Sequence, residues 1–519
     1  MPIEHESRAG HQPEASRPAR ISVVLAVLGS LALIAVGLAW SLASPIGASP
    51  DDDFHLATIW CDAGDLDLCR RTGEQVEEGV ERVRVVAELG PGIACFAFRP
   101  EVSAGCQAAL EQEAGTVSGR ADDGLYPGGF HRFMSLFASS RIGRSVLVMR
   151  MVSWLLAVSL LVAACALAGP DLRRAFSLAA LTTLVPLGVF LFASNNPSGL
   201  AVAGVAAYWC GAYAYMSGSG GDRRRSAAVV VVLVLGAAVA LASRYDTGLY
   251  LGVASAAAWV STGGYLPSLR RRSLLLLALS AVGLAATLTG TQTQRAVGGA
   301  PDADRSLGLV LFENVLELPR LVLGSLGTFG LGWLDTPLPG LTSVFMLLAI
   351  GGVVVAGLSV ASREKWLALT VVAGAVVVVP TIVLALDRYL VGEQVQPRYL
   401  LPLLPVLVGT ALVAPRGGLG VVLTRGQVLL LAAAVVLAHA AALHENIRRY
   451  VTGVDTRGFD LGAQVEWWWG TGPGPLATWA LGSAAFAVAV ACALLLVGRP
   501  SSVRAPAVAP QARISAGAP

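Results

Sequence analysis

Long apolar runs dominate the chain, and polar residues gather in the short stretches between them. A helix needs about 20 apolar residues to cross the hydrocarbon core of a membrane, and fewer when it is packed inside a bundle. The pattern therefore predicts an all-α polytopic membrane protein with twelve transmembrane helices. The predicted spans are 21–40, 151–168, 175–193, 199–216, 226–242, 248–262, 273–290, 341–360, 366–386, 400–413, 428–444 and 476–497.

The composition agrees with this pattern and excludes a soluble protein. Of the 519 residues, 55% are apolar and 14% are charged, whereas a soluble domain has about 25% charged residues. The mean hydropathy is +0.66. The net charge of +3 gives no indication of nucleic-acid binding. The Walker, GxSxG, HExxH and Rossmann motifs do not occur in a supporting context, so the sequence does not predict an ATP-driven protein.

The placement of basic residues orients the predicted bundle. They are concentrated in alternate loops, at 173–174, 223–225, 270–272, 363–365 and 416–425. Because such loops remain in the cytoplasm, both termini are predicted to be cytoplasmic and the protein to lie in a bacterial inner membrane. Residues 21–497 then form the bundle, with a large outer loop at 41–150 and a second one at 291–340. Residues 1–20 and 498–519 are predicted to be disordered tails.

Four cysteines fall within the first outer loop. They are Cys61, Cys69, Cys95 and Cys106. In an oxidising compartment they predict two disulfides, and the sequence leaves all three possible connectivities open. A zinc site is the alternative, but the spacings of 8, 26 and 11 residues contain no CxxC pair. We therefore favour disulfides.

An acidic motif follows the first predicted span by ten residues. Residues 50–55 read Pro-Asp-Asp-Asp-Phe-His. Adjacent carboxylates repel one another, which raises the pKa of at least one unless a cation lies among them. Asp51 and Asp52 are therefore candidates for a general base or for ligands of a divalent cation such as Mg²⁺ or Mn²⁺. The alternative is a solvated turn in which an aspartate caps the helix that begins at Phe54.

Polar residues are also concentrated towards the ends of the other outer loops. The first loop ends with Tyr126, His131, Arg141 and Arg144. Arginines in outer loops are unusual, because basic residues are normally concentrated in the cytoplasmic loops. One explanation is phosphate binding, since a guanidinium matches phosphate geometry. The other explanation is contact with lipid headgroups. Later outer connections contribute Asn196, Arg244, Asp335, Arg398 and Tyr399. No acid is adjacent to Arg398, which makes it the better candidate to bind an external anion.

The order of these motifs resembles that of a bacterial membrane-protein family classified as domain of unknown function 2142. Residues 50–55 are similar to its P-D-E-P-x-H signature, with Asp52 in place of glutamate and Asp53 in place of proline. Later motifs of that family, in the same order, are similar to four segments of this chain: Tyr126-Pro127, Asn196-Pro197-Ser198, Gly332-Trp333-Leu334-Asp335-Thr336-Pro337 and Gln396-Pro397-Arg398-Tyr399-Leu400. The resemblance extends from Pro50 to about Pro405.

That family is similar in layout to the GT-C glycosyltransferases, which use polyprenyl-phosphate sugars as donors. The resemblance implies a GT-C-like membrane enzyme that transfers a sugar to a cell-envelope glycan or lipid acceptor on the outer face. It implies that Asp51 or Asp52 acts as base or metal ligand and that Arg398 lies near the donor phosphate. It places the substrates among His55, Tyr126, His131, Arg141, Arg144, Asn196, Arg244, Asp335 and Tyr399.

Other functions suit part of this pattern. A transporter or flippase of lipid-linked saccharides would suit twelve spans, but transporters usually contain internal repeats and ionisable residues at mid-membrane. No repeat is evident here, and the spans are almost free of charge, with His439 the nearest exception. A polysaccharide polymerase or ligase also has many spans, although the early aspartate cluster argues against it. A non-catalytic envelope-assembly protein could use the cysteine loop for recognition.

Overall fold

The computed structural model describes residues 17–64, 67–112, 115–218, 222–298, 305–360, 362–393, 395–414, 421 and 423–497. Within these ranges the chain is mostly helical. The helices are α1 (Arg17–Leu42), α2 (Asp52–Ala63), α3 (Gly129–Ser135), α4 (Ile142–Leu167), α5 (Pro170–Thr183), α6 (Leu187–Phe192), α7 (Pro197–Ser217), α8 (Arg223–Ser243), α9 (Thr247–Thr262), α10 (Arg270–Thr289), α11 (Thr291–Gly298), α12 (Leu307–Leu323), α13 (Gly340–Leu358), α14 (Arg363–Asp387), α15 (Pro397–Leu400), α16 (Leu403–Leu412), α17 (Arg425–Val451) and α18 (Pro475–Val497). The strands are β1 (Cys69–Glu77), β2 (Val80–Val86) and β3 (Thr116–Asp122).

Eight helical segments in the described ranges are long and apolar enough to cross a membrane. They contain α1, α4, α8, α10, α13, α14, α17 and α18. Each carries large apolar side chains on its outer surface, for example Leu31, Leu277 and Leu348. Contiguous apolar surface of this extent is rare in soluble monomers and is expected where helices face lipid.

The other four predicted spans correspond to helices that are shorter, interrupted or largely buried. The segment 175–193 is divided between α5 and α6, because Pro186 cannot continue the hydrogen-bonded helix. The segment 400–413 is likewise divided between α15 and α16. The segment 248–262 forms the 16-residue α9, and 199–216 forms α7, which is surrounded by other helices. The twelve-span topology stays a prediction.

The two predicted tails lie almost entirely outside the described residues. Only positions 17–20 of the first tail are described, and they form the first turn of α1, which begins at Arg17. The structure therefore moves the start of the helical bundle a few residues towards the N-terminus.

The first outer loop contains a small antiparallel sheet with the strand order β1-β2-β3. In β2, Val83 and Val85 are fully buried and alternate with the more exposed Arg82 and Arg84. This period of two is the pattern of a strand with one buried face. The all-α prediction did not include these strands, although the valine alternation in 80–86 indicates them.

Both predicted disulfides are confirmed as bonded sulfur pairs between cysteines that neighbour one another in sequence. Cys61 at the end of α2 pairs with Cys69 at the start of β1, with Cα atoms 5.0 Å apart. Cys95 pairs with Cys106, with Cα atoms 6.2 Å apart. The first bond joins α2 to the sheet, and the second closes a loop that lies against α17.

Two buried arginines connect the outer segments to the helical bundle. Arg150 of α4 donates hydrogen bonds to the carbonyl oxygens of Ser41 at 3.0 Å, in the last turn of α1, and Ser44 at 2.6 Å, just after it. Arg449 of α17 donates to the carbonyl oxygen of Val102 at 2.6 Å and to the carboxylate of Asp335 at 2.8 Å. Arg449 is fully buried, so its contacts fix the second disulfide loop and the segment after α12 against the same helix.

Candidate functional site

The acidic motif forms the turn that begins α2. Asp51 precedes the helix in the left-handed conformation, with a φ of 60°. This conformation is unfavourable for residues other than glycine, so the surrounding contacts must maintain it. One such contact is the 2.9 Å hydrogen bond that the Asn196 side-chain amide donates to the carbonyl oxygen of Pro50. The Asn-Pro-Ser loop before α7 therefore supports the motif directly.

The three adjacent carboxylates turn towards three different arginines. The ion pairs join Asp51 to Arg398 at 2.8 Å, Asp52 to Arg150 at 3.9 Å and Asp53 to Arg120 at 3.2 Å. Because each carboxylate has its own cation, their mutual repulsion is offset. No group of three His, Cys, Asp or Glu side chains that could hold a metal ion occurs in the described ranges. A divalent cation prefers several oxygen ligands, so this arginine-rich set does not fit one.

Asp51 and Asp52 have different surroundings. The Asp51 side chain is 34% exposed, and its Oδ1 lies 3.7 Å from a second arginine, Arg120. Asp52 is fully buried and accepts a hydrogen bond from the Ser49 backbone N–H at 3.3 Å. Burial raises the pKa of Asp52 to about 7, although Arg150 opposes the shift. Asp51 is therefore the accessible carboxylate. Asp52 is buried, and its hydrogen bond with Ser49 stabilises the turn before α2.

Two arginines and two tyrosines form a compact group beside Asp51, which we call the arginine–tyrosine cluster: Arg244, Arg398, Tyr126 and Tyr399. The guanidinium carbons of Arg244 and Arg398 lie 4.7 and 5.2 Å from the centre of the Tyr399 ring. Arg244 also lies 5.9 Å from the Tyr126 ring and pairs with Asp246 at 2.9 Å. Stacked guanidinium groups of this kind remain charged at any physiological pH.

Arg398 has binding capacity that the protein does not use. The residue is 4% exposed, and one guanidinium nitrogen, Nη2, donates to Asp51 at 2.8 Å and to the Tyr399 hydroxyl at 3.3 Å. Its Nε and Nη1 atoms are buried and have no hydrogen-bond partner among the described residues. A buried charged donor without a partner is costly, so this geometry indicates that an external acceptor completes the site.

Three residues of the cluster, Tyr126, Arg244 and Tyr399, line a cleft of about 640 Å³. Arg398 lies against the Tyr399 ring, outside this lining. The apolar part of the lining comes largely from α14, with Val379, Ile382, Val383 and Leu386, and the same helix also contributes Asp387. Since α14 is long and apolar enough to cross a membrane, the cleft has the shape and polarity to hold an amphiphile with an anionic head.

A chain of three buried titratable groups approaches the cluster from the outer sheet. His55 Nδ1 lies 3.0 Å from His131 Nε2, and His131 Nδ1 lies 3.9 Å from the Asp122 carboxylate. Burial lowers the pKa of both histidines, that of His131 to about 3. Burial raises the pKa of Asp122 to about 6. Both imidazoles are therefore neutral at pH 7.

A model of one protein family covers most of the chain. The family is described as predicted membrane protein, DUF2142, and its model matches residues 23–407. This chain belongs to that family. No curated protein and no solved structure matches the chain. The matched region includes the acidic motif and every residue of the arginine–tyrosine cluster.

Within this family member, the structure brings together most of the residues that the sequence predicts for the site. They are Asp51, His55, Tyr126, His131, Asn196, Arg244, Arg398 and Tyr399. Asp335 is not among them, because its carboxylate is buried against Arg449. Arg141 and Arg144 are exposed at the start of α4 and do not line the cleft.

Sequence reasoning missed three charged residues near the site: Arg120, Asp122 and Asp246. Arg120 and Asp122 lie on β3, in a stretch without a recognisable motif, and only the sheet register brings them against α2. Asp246 lies two residues after Arg244 and pairs with its guanidinium group. The spacing of Asp122 and Tyr126 could have indicated a turn, since the carboxylate accepts the Tyr126 backbone N–H at 2.9 Å.

Proposed function

We propose that this protein is a GT-C-type membrane glycosyltransferase of the bacterial inner membrane. It would transfer a sugar from a polyprenyl-phosphate donor to a cell-envelope glycan or lipid acceptor on the outer face. The proposal includes the twelve-span topology with cytoplasmic termini. The observation that carries it is a cleft lined by apolar residues of α14 and by Arg244, beside Arg398 with its two unused donors.

The cleft supports a lipid phosphate as the donor. A polyprenyl tail is apolar and would pack along Val379, Ile382 and Val383 of α14. The phosphate at its head would reach Arg244 and Arg398, and a guanidinium can bind phosphate through two parallel N–H groups. On Arg398 each such pair includes Nη2, which contacts Asp51, so the phosphate would bind Nη2 together with Nε or Nη1, the two nitrogens without a protein partner.

The position of Asp51 supports a role as proton acceptor. In glycosyl transfer the acceptor hydroxyl forms a bond to the sugar carbon while the bond from that carbon to the phosphate oxygen breaks. The hydroxyl proton goes to a base, and the electron pair of the broken bond remains on the phosphate. Arg398 now contacts Asp51, so a phosphate that binds Arg398 competes with the carboxylate and leaves it free to accept the proton. This scheme requires no metal ion.

The test is deletion of the gene followed by analysis of the envelope glycans. We expect one linkage to disappear and the wild-type gene to restore it. Asp51→Asn and Arg398→Gln should fail to restore the linkage when present in the membrane at the wild-type level. Arg82→Gln is the control, because Arg82 is a half-buried residue of β2 outside the cleft. Full restoration by both site variants would reject the proposal.

The same strain distinguishes the transporter alternative. Loss of transfer should leave the lipid-linked donor on the outer face. Accumulation of a lipid-linked saccharide on the cytoplasmic face would instead favour a flippase.

A further inference from the structure

Two ring nitrogens in the group Asp122–His131–His55 have no hydrogen-bond partner among the described residues. His131 Nδ1 faces the Asp122 carboxylate at 3.9 Å, beyond hydrogen-bond distance, and His55 Nε2 faces no charged group of this set. Both imidazole rings are fully buried, and they stack with their centres 5.2 Å apart. His55 uses Nδ1 towards His131, while its Nε2 has no hydrogen-bond partner among the described residues. The His55 ring contacts the Tyr126 ring at 5.1 Å, and Tyr126 lines the cleft.

Neutral imidazoles allow two arrangements of this chain. In the first, His55 Nδ1–H donates to His131 Nε2, His131 carries its proton on Nδ1, and His55 Nε2 has a lone pair. In the second, His131 Nε2–H donates to His55 Nδ1, so His131 Nδ1 has a lone pair and His55 carries its proton on Nε2. Each arrangement satisfies the 3.0 Å contact between the rings.

The carboxylate of Asp122 selects the first arrangement. Its Oδ2 lies 3.9 Å from His131 Nδ1, and it attracts an N–H at that atom but repels a lone pair. The backbone contacts of Asp122 maintain this position, because its N–H donates to Thr58 Oγ1 at 2.8 Å, one turn along α2 from His55. The charge on the outer sheet therefore determines which nitrogen of His55 is protonated.

We propose that Asp122 and His131 are positioning residues that keep the proton of His55 on Nδ1, so that Nε2 is a hydrogen-bond acceptor for a hydroxyl group of the bound sugar. The use of Nε2 by a sugar rests on the proposed function, whereas the choice of tautomer does not. The unused groups of Arg398 are all donors and suit a phosphate. His55 Nε2 instead supplies an acceptor, which suits a hydroxyl. In the free protein aromatic rings cover it, so the sugar must displace the Tyr126 ring.

The tautomer can be measured directly on the full-length protein in lipid nanodiscs. With ¹⁵N-labelled histidine, protonated and bare ring nitrogens give separate NMR signals, and His55→Gln and His131→Gln assign them. We expect both histidines to be neutral and protonated on Nδ1. Asp122→Asn should transfer part of the His55 proton population to Nε2. Asp123→Asn is the matched control, because this neighbouring carboxylate is exposed and binds Gln75; it should change neither tautomer.

The outcomes separate the two parts of the inference. A wild-type His55 protonated on Nε2 overturns the tautomer assignment, even if Asp122→Asn does not fold. Unchanged tautomers in a folded Asp122→Asn protein overturn the role of Asp122. Addition of polyprenyl phosphoglucose should shift the His55 Nε2 signal, whereas polyprenyl phosphate alone should not. No shift with the glucose lipid overturns the hydroxyl contact. Expected tautomers without any lipid binding would reject the proposed function and retain the tautomer assignment.

Discussion

Arg398→Lys tests the site most directly, because it keeps the positive charge and removes the planar fork. Arg398 Nη2 contacts Asp51 at 2.8 Å, and its other two nitrogens are unused. A lysine ammonium has no planar pair of N–H groups, so at this position it cannot bind a phosphate through two parallel hydrogen bonds. At least one charge-assisted hydrogen bond to the phosphate is therefore lost. Such a bond contributes about 1.5–3 kcal/mol, which corresponds to a roughly 10- to 150-fold weaker Kd.

The assay is equilibrium binding of radiolabelled undecaprenyl phosphate to the purified protein in nanodiscs. Arg398→Gln, which also removes the charge, should bind more weakly than Arg398→Lys. Arg82→Gln should bind like the wild type, and the thermal stability of each variant shows whether it is folded. If folded Arg398→Lys and Arg398→Gln proteins both bind with the wild-type Kd, Arg398 does not bind the phosphate and the reasoning is refuted.

Four further predictions follow from the same structure. Asp51→Asn removes the competitor for the phosphate site, so lipid-phosphate affinity should be unchanged or higher while transfer falls roughly 10²–10⁴-fold. Asp52 has a folded-state pKa of about 7, above its ordinary 3.8, so its own contribution to stability falls as pH rises through this window, whereas the lowered pKa of His131 contributes in the opposite direction. Asp52→Asn should abolish this fall, which is at most roughly 4 kcal/mol. Asp335→Asn leaves a buried arginine without its counter-charge and should cost about 3–5 kcal/mol, seen as a lower Tm. Reporters fused after Gly64 and after Gly218 should lie on opposite sides of the membrane.

Each of these predictions has a clear contrary result. Equal transfer by Asp51→Asn and wild type would remove Asp51 from the reaction. An identical pH dependence of stability in Asp52→Asn and wild type would contradict the protonation of Asp52. An unchanged Tm for Asp335→Asn would mean that the pair with Arg449 contributes nothing. Reporters on the same side would exclude the proposed topology.

The sequence predicts the membrane class and the order of the site motifs because both depend on local patterns. Apolar runs as long as α4 or α14 are recognisable without a structure. It does not predict which residues lie side by side. Asp51 and Arg398 are 347 positions apart, and only the tertiary fold brings the turn before α2 to Arg398 of α15. Likewise Asp335 is part of a recognisable motif, yet in the folded protein its carboxylate contacts Arg449 and does not line the cleft.

The Arg449 contacts impose an order on biosynthesis. Arg449 donates to the carbonyl oxygens of Phe96 and Val102, which lie 353 and 347 positions earlier in the chain. These carbonyls therefore have no donor from α17 until the ribosome has made nearly the whole protein. A chain that stops before α17 lacks these contacts to the second disulfide loop and the Arg449 charge beside Asp335, so we expect the loop to be more accessible to proteases. The second disulfide loop can therefore form its contacts with Arg449 only after α17 has been synthesised.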